Sequence, residues 1–360
     1  RRFDDHLSPA KHLASHDQAP SLVDILCQPL INKQLVHPLF ICHNPYFNMG
    51  FGIHRERHIS LPALFDSCYY FVMLSALLKT IRPKQWAKNI FVFTALVFDR
   101  KLLNPDAFLH TLAGAALFSL IASAVYIFND IADLESDRQH PTKKNRPIAS
   151  GRITLPVAWA VALGLLVISF PLAYLLSPGF MIICAVYFGL NLAYSSKLKH
   201  IPLIDVLVLA SFYLLRVISG TALIEVKRFS PWLYVVTSLF ALFIGLGKRR
   251  AELVLQEDGN GSVRPVLDGY SVELLDQLIT IVSGTTIVAY SLYTFSAPNL
   301  PENHSMMLTI PFVLYGIFRY LFLIRCGEGG APEEIALADR PLQAAILLWT
   351  AVILLVFYLY

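Results

Sequence analysis

Apolar residues in this chain gather into runs of about 16 to 24, separated by short polar stretches, and at about 1.5 Å per residue such a run spans a hydrocarbon core as an α-helix. Spans are expected at 83–98, 107–128, 154–176, 178–194, 202–223, 231–247, 272–295, 307–325 and 341–359. No stretch alternates with the two-residue period of a barrel strand, so the pattern predicts an all-α, polytopic membrane protein of nine helices. The first span is the shortest. Its apolar run covers only Ile90 to Phe98, and its helix must take in Trp86 and Lys88 at the interface.

Composition agrees, since 56 % of the 360 residues are hydrophobic and 15 % charged, against about one quarter charged in soluble domains. Charge then orients the bundle. Lys79, Arg82, Lys84 and Lys88 precede the first span; Arg138, Lys143, Lys144, Arg146 and Arg152 follow the second; Lys197 and Lys199 follow the fourth. Lys248, Arg249, Arg250 and Arg264 follow the sixth, and Arg325 and Arg340 flank the last loop on that side, whereas the opposite side has Arg100, Lys101, Lys227 and Arg228. By the positive-inside bias the basic side is cytoplasmic and Tyr360 lies outside. That placement accounts for the net charge of +4 without a nucleic-acid partner.

Residues 1–72 are of another kind: rich in histidine and proline, without sustained apolar periodicity or a signal-peptide core. They are read as a dispensable extension, such as translated upstream sequence, ahead of a membrane domain over 73–360. Five scattered cysteines form no CxxC spacing and no disulfide framework.

The chemistry concentrates after the second span, in Asn129-Asp130-Ile131-Ala132-Asp133-Leu134-Glu135-Ser136-Asp137-Arg138. On a continuous helix Asp130, Asp133 and Asp137 fall within about 60° of one another, with Tyr126 one turn earlier on the same face and Glu135 pointing away. Carboxylates so close repel unless a cation compensates them, and hard oxygen donors at a membrane surface suit Mg2+, which binds substrate phosphates as well. The next stretch, His140 to Gly151, supplies Lys143 and Arg146.

Taken together, NDxxDxxxDRxHPxKxxRPIASG resembles the first aspartate-rich signature of the UbiA prenyltransferase superfamily, and Arg82-Pro83-Lys84-Gln85-Trp86-Ala87-Lys88-Asn89 resembles the signature opening its first helix. Tyr194-Ser195-Ser196-Lys197-Leu198-Lys199 adds a third motif. Within the superfamily, RPKQWxKN, RPIASG and Gly247-Lys248-Arg249-Arg250-Ala251-Glu252-Leu253 are similar to the branch of decaprenyl-phosphate phosphoribosyltransferases. Aromatic prenyltransferases of the superfamily carry a second, DxxxD motif where this chain has Lys248, Arg249, Arg250 and Glu252, a mainly basic group suited to another phosphate.

The resemblance implies a nine-helix bundle around a central cavity open to the cytoplasm and to lipid, in the plasma (inner) membrane. It implies 5-phosphoribose 1-diphosphate as donor, a polyprenyl phosphate as acceptor, and magnesium held by Asp130, Asp133 and Asp137, with Asn129 helping to orient the diphosphate. Arg82, Lys84, Gln85, Lys88, Tyr126, Arg138, Lys143, Arg146, Tyr194, Lys197, Lys199, Lys248, Arg249 and Glu252 are the expected substrate contacts. Two other readings stand beside this one: prenyl transfer from a polyprenyl diphosphate to an aromatic or other acceptor, and a non-enzymatic transporter. Arg216 and Arg319, inside spans, are read either as substrate contacts or as locks between helices.

Overall fold

The computed structural model describes residues 73–226, 230–257, 265–298, 300–326, 335 and 338–358. The extension over 1–72 lies outside the described residues, as do Lys227, Arg228 and Arg264. No strand occurs among the described residues. Among the described residues eight helices are long and apolar enough to cross a membrane, the seventh together with the 3-10 turn Ser305–Thr309 that leads into it: α1 (Pro105–Ala132), α2 (Leu155–Leu176), α3 (Pro178–Ser196), α4 (Ile204–Thr221), α5 (Pro231–Glu257), α6 (Val272–Ser296), α7 (Ile310–Arg325) and α8 (Arg340–Tyr358).

Local sequence sets several of their starts. Asn104 accepts from the Ala107 amide (3.1 Å), Ser177 from that of Phe180 (3.3 Å) and Ser271 from that of Leu274 (3.2 Å), capping α1, α3 and α6. Pro105 and Pro178 come directly after the first two caps, where a missing N–H costs nothing. Consecutive helices pack on one another throughout. Large apolar side chains such as Val167, Leu175, Ile281 and Leu347 point outward and are more than half exposed, whereas Asn89, Ser119, Ser123 and Arg216 are buried. That distribution suits a bundle whose solvent is lipid.

The expected first span is where structure and sequence reading part. Residues Pro83–Phe93 form a 3-10 helix that runs into a short α-helix, Thr94–Phe98. In a 3-10 helix every third residue lies in line, which brings Trp86, Asn89 and Val92 onto one edge. Trp86 and Asn89 bond to α1, and Val92 lies so close to α4 that a Cβ at Gly220 would collide with its carbonyl. Glycine is required there. At about 2.0 Å per residue the 3-10 stretch and its α-helical end together extend about 30 Å, so a short run reaches as far as a longer α-helix. Phe98, at its far end, meets Tyr293 of α6 and Phe357 of α8 edge to face, with centroids 5.9 and 5.7 Å apart, joining the first segment to the last.

Two further boundaries differ. Helix α1 continues to Ala132 and α5 to Glu257, so Lys248–Glu252 lies within a helix and not in a loop after one. The continuation of α5 is sustained by the ion pairing of Arg249 with Asp205 and Glu252.

Candidate active site

Helix α1 presents Ser119, Ser123, Tyr126 and Asp130 along one face, at intervals of three and four residues. The RPKQWAKN segment reads that face rung by rung. Asn89 Nδ2 donates to Ser119 Oγ (2.7 Å) and Trp86 Nε1 to Ser123 Oγ (3.0 Å). Arg82 lays its guanidinium over the Tyr126 ring, 5.2 Å from the centroid, and donates through Nη2 to Asp130 Oδ1 (2.5 Å). Its backbone sits in the left-handed region (φ 55°), unfavourable for a residue with a Cβ, and these contacts hold it there. Lys84 is exposed; Gln85 and Lys88 are partly exposed.

The three aspartates do not share one continuous helix face. Helix α1 ends at Ala132, Asp133 takes φ −92° and ψ 9°, and a new helical stretch runs Leu134–Gln139. The break separates Asp133 from the others. Asp130 and Asp137, 3 % and 2 % exposed, converge on one nitrogen: Arg146 Nη1 donates to Asp130 Oδ1 (3.0 Å) and to Asp137 Oδ2 (2.6 Å). Asp133, by contrast, pairs with Lys199 Nζ at 3.1 Å. Glu135 is exposed and pairs with Arg138 (3.1 Å) on the outer side, which takes both away from the buried carboxylates. Asn129 is partly exposed and its carbonyl accepts from the Asp133 amide (2.9 Å).

Residues 147–153 aim Arg146. Ile148, Ala149 and Ile153 are buried with Ile127 and Leu134 in one apolar cluster. Gly151 turns the chain at φ 74°, which a glycine adopts without strain. RPIASG therefore works as an anchor behind the arginine. On the outer loop, His140 Nδ1 accepts from the Thr142 amide at 3.2 Å, shaping the approach to the partly buried Lys143.

Among the described residues no group of three or more His, Cys, Asp or Glu is placed to hold a metal ion. Magnesium, however, needs only one or two carboxylates when substrate phosphates and waters complete its shell. Asp130 and Asp137, hard donors already gathered around a single cationic nitrogen, fit that requirement.

A second cluster sits at the same end of the bundle. Asp205, wholly buried in the first turn of α4, accepts from Arg249 Nε (2.6 Å) and from the Tyr270 hydroxyl (2.6 Å). Arg249, 1 % exposed, also donates to Glu252 Oε2 (2.6 Å) and Tyr194 OH (3.4 Å), and Tyr270 OH accepts from the Leu203 amide (2.6 Å). Three of the expected substrate contacts, Tyr194, Arg249 and Glu252, are thus joined to Asp205 and Tyr270 across α3, α4, α5 and the segment before α6. Arg250 is engaged likewise, by Asp276 at 2.6 Å. Lys248 is partly exposed on α5 and Lys197 is exposed at the end of α3. Sequence reading missed the partnership of Asp205 with Tyr270, residues 65 positions apart.

The intramembrane arginines are locks. Arg216 donates to Asn89 Oδ1 (2.9 Å), to the Phe212 carbonyl (2.8 Å) and to Tyr187 OH (3.1 Å), and lies over the rings of Phe118, Tyr187 and Tyr213. Through Asn89 it ties the opening signature to α3 and α4. Arg319 holds Asp339 through two nitrogens, at 3.2 and 2.7 Å, joining α7 to the start of α8.

Comparison with known proteins agrees with this architecture. A decaprenyl-phosphate phosphoribosyltransferase of Corynebacterium glutamicum is 32 % identical over 80 % of this chain and 88 % of its own. One of Mycobacterium tuberculosis is 34 % identical over 78 % of this chain and 94 % of its own. Among solved structures, a UbiA homolog from Archaeoglobus fulgidus bound to DMAPP and Mg2+ superposes with a TM-score of 0.61 at 17 % identity, covering 79 % of this chain and 99 % of that one, a likeness of fold. The model of the UbiA prenyltransferase family matches residues 89–338, and this chain, an integral multi-pass membrane protein, belongs to that family.

Proposed function

We propose that this protein transfers 5-phosphoribose from 5-phosphoribose 1-diphosphate to a polyprenyl phosphate and releases diphosphate. The observation that carries the reading is the buried Asp130–Arg146–Asp137 arrangement with Arg82 beside it: a carboxylate pair for a divalent cation, ringed by guanidinium groups for a diphosphate. Relatives named for this reaction, similar over most of their length, support it further.

Asp130 and Asp137 would hold magnesium, whose chemistry there is to neutralise the diphosphate leaving group. Arg82 and Arg146 flank that position and would orient the diphosphate, with Lys143, three residues before Arg146, as a further candidate contact, while Lys199 pairs with Asp133. The bond from ribose C1 to the diphosphate breaks with its electron pair going to the diphosphate, and an oxygen of the lipid phosphate bonds to C1 from the opposite side, inverting it. That oxygen is already ionised and needs no general base. Catalysis rests on positioning and charge neutralisation.

The distribution of basic residues over the loops supports a site on the cytoplasmic face of the plasma membrane, where a soluble donor is at hand. A single cysteine at Thr142 should be labelled only from the cytoplasmic side and one at Asn303 only from outside. Activity is tested by incubating the purified protein with magnesium, labelled 5-phosphoribose 1-diphosphate and polyprenyl phosphates, then looking for labelled lipid. A protein that ignores this donor and prenylates an aromatic acid from polyprenyl diphosphate would replace the reading with prenyl transfer.

A further inference from the structure

Resting on the proposed diphosphate site, we infer that Arg146 is an exchangeable internal cation: it holds the two buried carboxylates until a divalent cation takes them, and its released guanidinium then binds the diphosphate. Three observations carry this. Arg146 Nη1 donates to both Asp130 Oδ1 and Asp137 Oδ2, at 3.0 and 2.6 Å, so a single nitrogen stands where the two carboxylates converge. The carboxylates are almost wholly buried, so their mutual repulsion is weakly screened and some cation must stay between them. The arginine side chain itself is 29 % exposed, so it is not enclosed as the carboxylates are.

The neighbours favour exchange over rigid pairing. Arg82 holds Asp130 Oδ1 from the other side and, stacked on Tyr126, keeps that carboxylate in place when Arg146 leaves. Ile148 and Ala149, buried just behind, fix the backbone of Arg146 so that only its side chain needs to move. A guanidinium displaced from carboxylates and a diphosphate arriving on the cation are complementary. Each binding event therefore favours the other, which makes metal and diphosphate bind cooperatively without a moving helix.

The test uses the full chain in detergent, with Mn2+ as the metal probe and inorganic diphosphate as the anion, read by Mn2+ electron paramagnetic resonance. Removing the competing charge-assisted bonds in Arg146→Gln should tighten the binding of Mn2+ alone by roughly ten- to a hundred-fold. Adding diphosphate should tighten Mn2+ binding in the wild type and do so far less in the variant. In the wild type, phenylglyoxal modification of Arg146, followed by peptide mass spectrometry, should rise with Mg2+ and fall again when diphosphate is added. Unchanged or weaker Mn2+ binding in Arg146→Gln, or Arg146 reactivity indifferent to Mg2+, would overturn the proposal, and the second readout stands even if the variant fails to fold. Neither measurement contains ribose, so a protein that turned out to transfer prenyl groups would sink the phosphoribosyl reading and leave this one standing.

Discussion

Two carboxylate–arginine clusters lie at the same end of the bundle and are built from the same residue types, yet they differ in what surrounds them. Around Asp130 and Asp137 the arginines are partly open, Arg82 at 26 % and Arg146 at 29 % exposed. Around Asp205 the arginine is closed, because Arg249 is 1 % exposed and its donors are spread over Asp205, Glu252 and Tyr194, with only Glu252 and Tyr194 reaching partly into the open. A guanidinium with a free side can trade partners; one that is enclosed and bonded on every side joins helices. Burial separates a site from a lock here where residue type does not, and Arg249, expected from sequence as a phosphate contact, is spatially committed to Asp205 and Glu252.

Arg249→Met is expected to break this comparison most visibly. It leaves Asp205 buried with a lone hydroxyl partner, and loss of one member of a buried pair costs about 3–5 kcal/mol. The apparent Tm in detergent should fall sharply, with Asp205→Leu in the same chain restoring much of it. With Mg2+ present to take over the two carboxylates, Arg146→Gln should lower the Tm far less. A stable Arg249→Met protein with a raised KM for 5-phosphoribose 1-diphosphate would reverse the assignment and return Arg249 to the substrate.

Within the open cluster, Asp130→Asn and Asp137→Asn should each reduce kcat/KM by about a hundred- to a thousand-fold, the usual loss when a preorganised charge is removed from a leaving-group site. Asp133→Asn should cost less, since the helix break sets its carboxylate on Lys199. Glu135→Gln, paired outward with Arg138, should leave turnover unchanged. Equal losses at Asp130, Asp133 and Asp137 would mean that the three act as one ligand set in the working enzyme.

Much of the fold is legible in the sequence for physical reasons. Apolar runs long enough for lipid locate seven of the eight helices to within about four residues at each end, because crossing length and hydropathy are local properties; α5 runs on past its apolar run to Glu257. The opening segment reads as an ordinary α-helix and is not one; its 3-10 geometry is imposed by bonds from Trp86 and Asn89 to serines about thirty-five residues on, which no window over 83–98 contains. The break at Asp133 carries no glycine or proline to announce it. Continuation of α5 has a signal, since Lys248 to Glu257 holds mostly good helix formers. The pairing of Asp205 with Arg249 has none, because two buried charges on different helices find each other only through packing.

The smallest expected effect sharpens the contrast by pH. Burial raises the Tyr270 phenol, and its bond to the Asp205 carboxylate raises it further, since a phenolate there would face a negative charge. A folded-state value above the unfolded one means that the neutral phenol stabilises the fold. That contribution is fully present below the ordinary tyrosine value of about 10 and is lost as pH rises from there towards the folded value. Tyr270→Phe removes a hydroxyl that both donates to Asp205 and accepts from Leu203, at a cost of about 0.5–1.5 kcal/mol near neutrality. The quantity to follow is the Tm difference between wild type and Tyr270→Phe. It should be clear at about pH 8 and shrink by about pH 11. A difference that stays constant would mean the hydroxyl acts through the Leu203 amide alone, and the enclosed cluster would then end at Arg249 without reaching the segment before α6.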